Sequence, residues 1–270
     1  MKTVTILTIF ALFVGIGPVA AQEKVVVGGS GAMGDAVDLL AKVYKQKNTS
    51  EVLEVIPEPM STTGGIEGTK AGRLTIGIIT RSLHDDEKKS GLVYRPMTRI
   101  PVVVGVHKSI PVNNLSDSQV CDIFSGKIKS WKDVGGGDGK IVVLGRKKDD
   151  NSMEIFREKM ACFNQLQLGP DTVLLVRGSE VLDSLNNRPG TVGVTVAGAV
   201  MMERPNIKAV AVAAVASALD AVKSGKYKYF NEVGFVTVGE PKGTAKRFVE
   251  FVNSSEGEKI FEKFGMAAVR

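Results

Sequence analysis

The stretch Val25-Val26-Val27-Gly28-Gly29-Ser30-Gly31-Ala32-Met33-Gly34, followed by the segment from Asp35 to Gln46, decides the fold class. Three consecutive β-branched residues predict a strand, and Gly28-Gly29-Ser30-Gly31 predicts a tight turn. Val37, Leu40, Ala41 and Tyr44 then recur at helical spacing. A strand, a short loop and a helix in direct succession open an α/β fold with mainly parallel strands, because a parallel partner strand is reached only through a crossover. The unit repeats. Val52 to Pro57 reads as a second strand, Ser61-Thr62-Thr63-Gly64-Gly65 opens a short helix from Ile66 to Ala71, and Thr75 to Ile79 is a third strand ending in Thr80-Arg81.

The texture changes further along. Asp85 to Ser90 is a solvated helix or loop, and Arg99 to Val106 is a long apolar strand with Pro101 near its start. Asn114-Leu115-Ser116 caps a helix from Asp117 to Phe124, and a turn-rich connection carries Trp131. The glycine loop from Gly135 to Gly139 precedes a strand from Ile141 to Leu144, after which Asn151 or Ser152 starts a helix that runs to Met160. Strands at Val173–Val176 and Val192–Val196 flank a helix from Glu180 to Asn186. Ile207 to Val212 leads into an alanine-rich run read as helical, then Phe235 to Val238, and two amphipathic helices, Thr244–Val252 and Ser255–Phe264, close the chain. No internal repeat or low-complexity linker is visible.

Lys2, the apolar run from Val4 to Ile16 and Gly17-Pro18-Val19-Ala20-Ala21 have the layout of a secretory signal peptide cut after Ala21. That run falls short of the roughly 20 residues that span a bilayer. The run from Ala209 to Ala221 is short and contains Asp220, so the mature chain is expected to be periplasmic or otherwise extracytoplasmic. Lys and Arg outnumber Asp and Glu by 35 to 29 but are spread along the chain, which suits an anionic ligand and argues against nucleic acid. Cys121 and Cys162 permit one disulfide in an oxidising compartment; two small buried side chains are the alternative, and the sequence leaves both open. His84 and His107, the two histidines, sit in no nucleophile or metal-ligand pattern, so no metal, cofactor or catalytic residue is expected.

An anion is held by backbone N–H groups at helix starts, by hydroxyls that rotate to suit, and by the planar fork of an arginine. Three hydroxyl-bearing loops open helices here: Ser30-Gly31-Ala32, Ser61-Thr62-Thr63-Gly64-Gly65 and Asp150-Asn151-Ser152. Ser, Thr and Asn are also ordinary N-caps, so one such loop says little. Three of them, with Arg81 and Arg146 each at the end of a strand, point to a common cleft. The loop from Gly28 to Gly34 also invites a dinucleotide reading, set aside here because its spacing is not taken as G-x-G-x-x-G and no acidic residue closes a following strand about 20 residues on. No Gly-Lys-Ser/Thr is present for a P-loop, and Asp85-Asp86-Glu87 and Asp149-Asp150 read as solvated loop faces.

Over nearly the whole mature chain the sequence resembles the substrate-binding proteins of phosphate ABC transporters, a type of periplasmic binding protein. The resemblance rests on Ser61 to Gly68 with Ile76-Gly77-Ile78-Ile79-Thr80-Arg81-Ser82-Leu83, and on Asn114-Leu115-Ser116 with Gln119, Asp122 to Ile128 and Trp131. Ser224-Gly225-Lys226-Tyr227, Gly239 to Gly243, Ser255-Glu256-Gly257 and Phe264-Gly265 extend it to the end. It implies a two-lobed α/β fold, each lobe a mainly parallel sheet flanked by helices, joined by two crossover strands near residues 100–106 and 196–210. The implied division is a signal peptide at 1–21, a first lobe from 22–103 and 204–270, and a second from 104–203. Carried over by position, the ligand contacts are Ser30, Gly31, Ala32, Thr62, Thr63, Thr80, Arg81, Arg146, Asp150, Asn151 and Ser152. Where that family has Ser-Gly-Thr, this chain has Asp150-Asn151-Ser152, which puts a carboxylate where a hydroxyl donor is usual. Asp150 then turns away or pairs with Arg146, Lys147 or Lys148, or the ligand is not phosphate. The resemblance implies a non-enzymatic monomer that carries a small oxyanion, phosphate first, to an ABC permease in the inner membrane. The alternative is an exported relative with altered or lost ligand capture, acting in sensing, adhesion or scaffolding.

Overall fold

The computed structural model describes residues 23–146, 151–198 and 204–269; the leader lies outside them. The strand expected at Val25–Val27 is β1 (Lys24–Gly29), with Val25 and Val27 fully buried. A 3-10 turn at Gly31–Met33 separates it from α1 (Gly34–Lys47), whose buried face carries Val37, Leu40, Ala41 and Tyr44. β2 (Val52–Val55) and β3 (Ile76–Ile79) pair in parallel with β1, and α2 (Thr62–Lys70) crosses between them. α2 starts earlier than Ile66 because Ser61 caps it: the Ser61 hydroxyl accepts from Gly64 N at 3.1 Å. The polar stretch after β3 is α3 (Asp85–Lys89), a short helix with no buried residue.

β4 (Leu92–His107) is twice as long as the strand read from the sequence, and it holds two prolines. Pro96 lies where its partner β10 (Phe230–Val238) shifts register, between Val233 and Gly234, and Pro101 is the last residue of β4 paired with β10. A proline has no N–H for a ladder, so it is tolerated where the pairing changes. Beyond Pro101 the strand changes partners, to β8 (Thr191–Val196) on one side and β9 (Ile207–Val212) on the other. β5 (Asn114–Leu115), α4 (Asp117–Phe124), β6 (Val142–Arg146), α5 (Asn151–Lys159), β7 (Val173–Leu175) and α6 (Gly178–Asn187) fill the stretch between β4 and β8. α7 (Leu219–Lys223), α8 (Gly243–Val252), α9 (Ser255–Lys263) and β11 (Ala267–Ala268) complete the described elements.

The result is a mixed α/β architecture, a sheet in the order β2-β1-β3-β10-β4-β8-β6-β7 flanked by helices. Its apolar residues gather in two main clusters. One joins β1, β3, α1, α8 and α9 and includes Met97 and Ile100; the other takes Val102 to Val106 with α4, α5 and β8. β4 therefore threads from one core into the other. The alanine-rich run is helical only at its end, in α7; before it, Ala213 and Ala214 hold φ of 49° and 63° in a tight turn. That turn is drawn in by partners outside itself, since Ala213 N donates to Leu115 O at 2.8 Å and Ala214 N to Asn114 Oδ1 at 2.7 Å. Residues after 204 do not return at once to the first core. β9 stays on β4 beyond Pro101, and Val222, Tyr227 and Tyr229 are buried in the second cluster, so the chain comes back through Phe230.

Of the two cysteine alternatives the structure takes the bridge: Cys121 of α4 is bonded to Cys162, with the Cα atoms 6.1 Å apart. Trp131, the largest fully buried side chain, donates from Nε1 to Gly190 O at 3.0 Å and anchors the turn-rich connection.

Candidate functional site

The strand pairings determine which loops meet. β3 and β4 are both antiparallel to β10 and so run the same way; β8 is antiparallel to β4, and β6 follows β8. Because β4 continues from the first core into the second, the C-terminal ends of β1 and β3 are turned towards the C-terminal end of β6. Ile79 pairs with Gly234, which puts Thr80 one step on, level with Val233 and Thr98. Leu144 pairs with Gly193, which puts Arg146 level with Thr195 and Val103. Between these two levels lies Asn231, paired with Ile100 on the crossing strands. Ends of parallel strands facing each other in this way leave a crevice lined by loops and helix starts, the usual ligand position in α/β sheets.

On the first side, three of the expected loops converge. Ser30 N donates to Ile78 O at 2.9 Å, Met60 N donates to Gly29 O at 2.7 Å, and Ser30 Oγ accepts from Ala32 N at 3.4 Å. Thr62, at the first turn of α2, lies with its hydroxyl 2.8 Å from that of Thr80 and accepts from Thr80 N at 3.2 Å. Ser30, Thr62 and Thr80 are half-buried, while Gly31, Ala32 and Thr63 are exposed at the rim.

Arg81 stands at the same strand end, but its fork is turned onto a carboxylate. Nη1 and Nη2 each donate to Glu87 at 2.8 Å, and Nη1 also donates to Ser82 O at 2.9 Å. Glu87 accepts as well from His84 N at 2.8 Å. The hydrogen bonds from Arg81 come first among the causes that hold the Glu87 carboxyl at about 2, well below its ordinary value, against the opposing effect of burial. Glu87 had read as part of a solvated loop face; it is instead the residue that fixes Arg81. A carboxylate whose folded pKa is depressed contributes stability above its unfolded pKa and loses it as the pH falls towards the folded one. Glu87→Gln should thus cost about 1 kcal/mol at pH 7, and urea titrations should show the difference from the unsubstituted protein closing between pH 4.5 and 2. A difference that persists at pH 2 would contradict this account.

On the second side, Arg146 is half-buried at the end of β6 and lines a cavity of about 620 Å³ with Arg157, Asn164 and Leu168. Ser30 lines a different one, of about 190 Å³, with Gly31, Asp35 and Pro59. Ser30 and Arg146 thus line separate hollows. Asn151, the first residue of α5, donates from Nδ2 to Asn231 Oδ1 at 2.9 Å, and Ser152 is half-buried in the same turn. Asp150, with Lys147, Lys148 and Asp149, lies outside the described residues.

Two polar residues near the site escaped the sequence reading. Arg157, its side chain only 15% exposed, shares the cavity of Arg146 from within α5, where nothing in the helical pattern singles it out. Asn231 is buried inside a strand and becomes noticeable only through the register. One reason given for setting aside a dinucleotide also needs correction. Gly29, Gly31 and Gly34 do fall at G-x-G-x-x-G spacing. The argument against that reading is structural: a 3-10 turn intervenes before α1, and β10 lies antiparallel beside β3 where a dinucleotide fold continues in parallel.

A family model described as a PBP superfamily domain matches residues 17–256. The chain belongs to that family. Among PBP superfamily relatives, it is 22% identical over 257 residues to the phosphate-binding protein PstS of Borreliella burgdorferi, covering 92% of this chain and 91% of that protein. It is 23% identical over 247 residues to the phosphate-binding protein PstS of Bacillus subtilis, covering 90% and 79%. Among solved structures, a putative phosphate ABC transporter substrate-binding protein with bound phosphate from Clostridium perfringens superposes with a TM-score of 0.74 at 25% identity, covering 92% of this chain and all of that one.

Proposed function

We propose that this member of the PBP superfamily is an exported, non-enzymatic solute-binding protein that captures phosphate or a related small oxyanion and delivers it to an ABC importer. The observation that carries the reading is the placement of the Thr62 and Thr80 hydroxyls side by side, 2.8 Å apart, at a helix start and a strand end next to the crossing strands β4 and β10. The proteins it resembles, named for phosphate binding and phosphate transport, support the choice of anion. The disulfide supports an oxidising, extracytoplasmic location. By core membership the two lobes are residues 23–101 with 230–269, and 102–146 with 151–198 and 204–229. Closure of the lobes about the crossing strands would bring Thr62, Thr80 and Ser30 to Arg146, Asn151 and Ser152.

Calorimetric titration with inorganic phosphate, sulfate and molybdate tests this. Saturable binding of one of them is expected, with phosphate tightest. Thr62→Val, which keeps the shape but removes the hydroxyl, should weaken binding by about tenfold, the worth of one hydrogen bond to a charged group. A flat titration against all three anions would sink the reading and favour an exported module without ligand capture.

A further inference from the structure

Asn231 is a polar residue in an otherwise apolar strand, and it is 7% exposed. Its Oδ1 is accounted for by Asn151. Its Nδ2 carries two hydrogens with no hydrogen bond to any described residue. Buried donors in folded proteins are nearly always matched, so a partner for this one is to be sought in whatever enters the crevice. The register locates it there. Thr80 stands level with Val233, two residues along β10 from Asn231 and on the diagonal next to it, and Asn151 at the start of α5 touches it from the other core.

We propose that Asn231 donates from Nδ2 directly to the bound oxyanion, so that the crossing strand itself supplies a ligand contact between the two sets of loops. The inference rests on the reading of the crevice as an oxyanion site. An amide NH₂ recognises an unprotonated oxygen, and it holds its orientation here because the other end of the same amide is fixed by Asn151.

Two substitutions separate direct donation from mere positioning of α5. Asn231→Asp keeps an oxygen to accept from Asn151 but removes both donors and sets a carboxylate against the ligand; Asn231→Ala removes both functions without adding charge. Direct donation predicts a loss of inorganic phosphate affinity of about tenfold for Asn231→Ala and at least about a hundredfold for Asn231→Asp. A positioning role predicts the reverse order, and that result, or unchanged affinity in Asn231→Ala, would overturn the inference while leaving the oxyanion site standing. If the unsubstituted protein binds none of phosphate, sulfate or molybdate, the functional reading fails and the inference with it. Should either variant misfold by thermal melting, the Asn231 side-chain amide in the unsubstituted protein decides by NMR: its protons should move downfield on saturation with phosphate, and unmoved protons would refute donation.

Discussion

Gly29→Ala is expected to destabilise the protein by more than about 3 kcal/mol and to abolish anion binding in whatever fraction still folds. Gly29 holds φ at +135°, a conformation that L side chains rarely adopt. An added Cβ would lie 2.7 Å from Ile78 N and closer still to Ile78 O, backbone atoms of the neighbouring parallel strand, so no side chain can yield to make room. Relief would require β1 and β3 to separate at the point where Ser30 N donates to Ile78 O and Met60 N to Gly29 O. Stability and ligand capture therefore fall together, because the Ser30–Ile78 bond that joins the strands also places Ser30 at the crevice, and the Met60–Gly29 bond ties in the loop that leads to Thr62. Gly34→Ala is the control. Nothing lies within 4 Å of a Cβ there, and alanine favours the first turn of α1. Urea unfolding of the two variants measures the contrast, and a Gly29→Ala midpoint equal to that of the unsubstituted protein would refute the close-approach account.

The difference between what the sequence revealed and what it hid follows from how local each interaction is. β1, α1 and β3 are written in spacing and turn chemistry within a dozen residues, and they were legible, whereas the start of α2 was read four residues late because the Ser61 cap was not recognised as its first boundary. The convergence of Ser30, Thr62 and Thr80 followed from the same local units, since each loop ends a parallel strand or starts a helix. The resemblance placed one crossing near residues 100–106, where β4 does pass between the cores, but the return through Phe230 was not legible, because β4 and β10 are matched only through a register between residues more than a hundred positions apart. The sequence reading began the strand only at Arg99, with Pro101 near its start, although Pro96 and Pro101 each sit within it where the ladder changes. The alanine-rich run misled for the opposite reason: its helix propensity was real, but bonds to Leu115 and Asn114 in another element held Ala213 and Ala214 in a turn. Arg81 shows the limit at a single side chain. Its place at the end of β3 was readable, whereas its capture by Glu87 depended on α3 folding back, which a polar stretch does not announce.

Removing the bridge, by Cys121→Ala with Cys162→Ala, is expected to cost about 3 kcal/mol of stability while leaving the folded structure and its anion affinity nearly unchanged. The two cysteines are 41 positions apart, so the bond closes a long loop and removes many conformations from the unfolded chain. In the folded state the same segments are held by other means: Phe163 packs against Phe124 and Phe156, with centroids 5.3 Å and 5.7 Å apart. Loss of the bond therefore acts chiefly through the unfolded state, which predicts a lower urea midpoint together with a steeper dependence on urea, because the unbridged chain expands further. Treating the unsubstituted protein with a reductant should reproduce both changes, and adding it to the double variant should do nothing. Identical curves with and without reductant would mean that the bond contributes nothing. The expected result carries a consequence for where the chain can work: α4 and α5 belong to the core that presents Arg146, Asn151 and Ser152, so that half would be the weaker one in a reducing compartment and the stronger one where the bond can form.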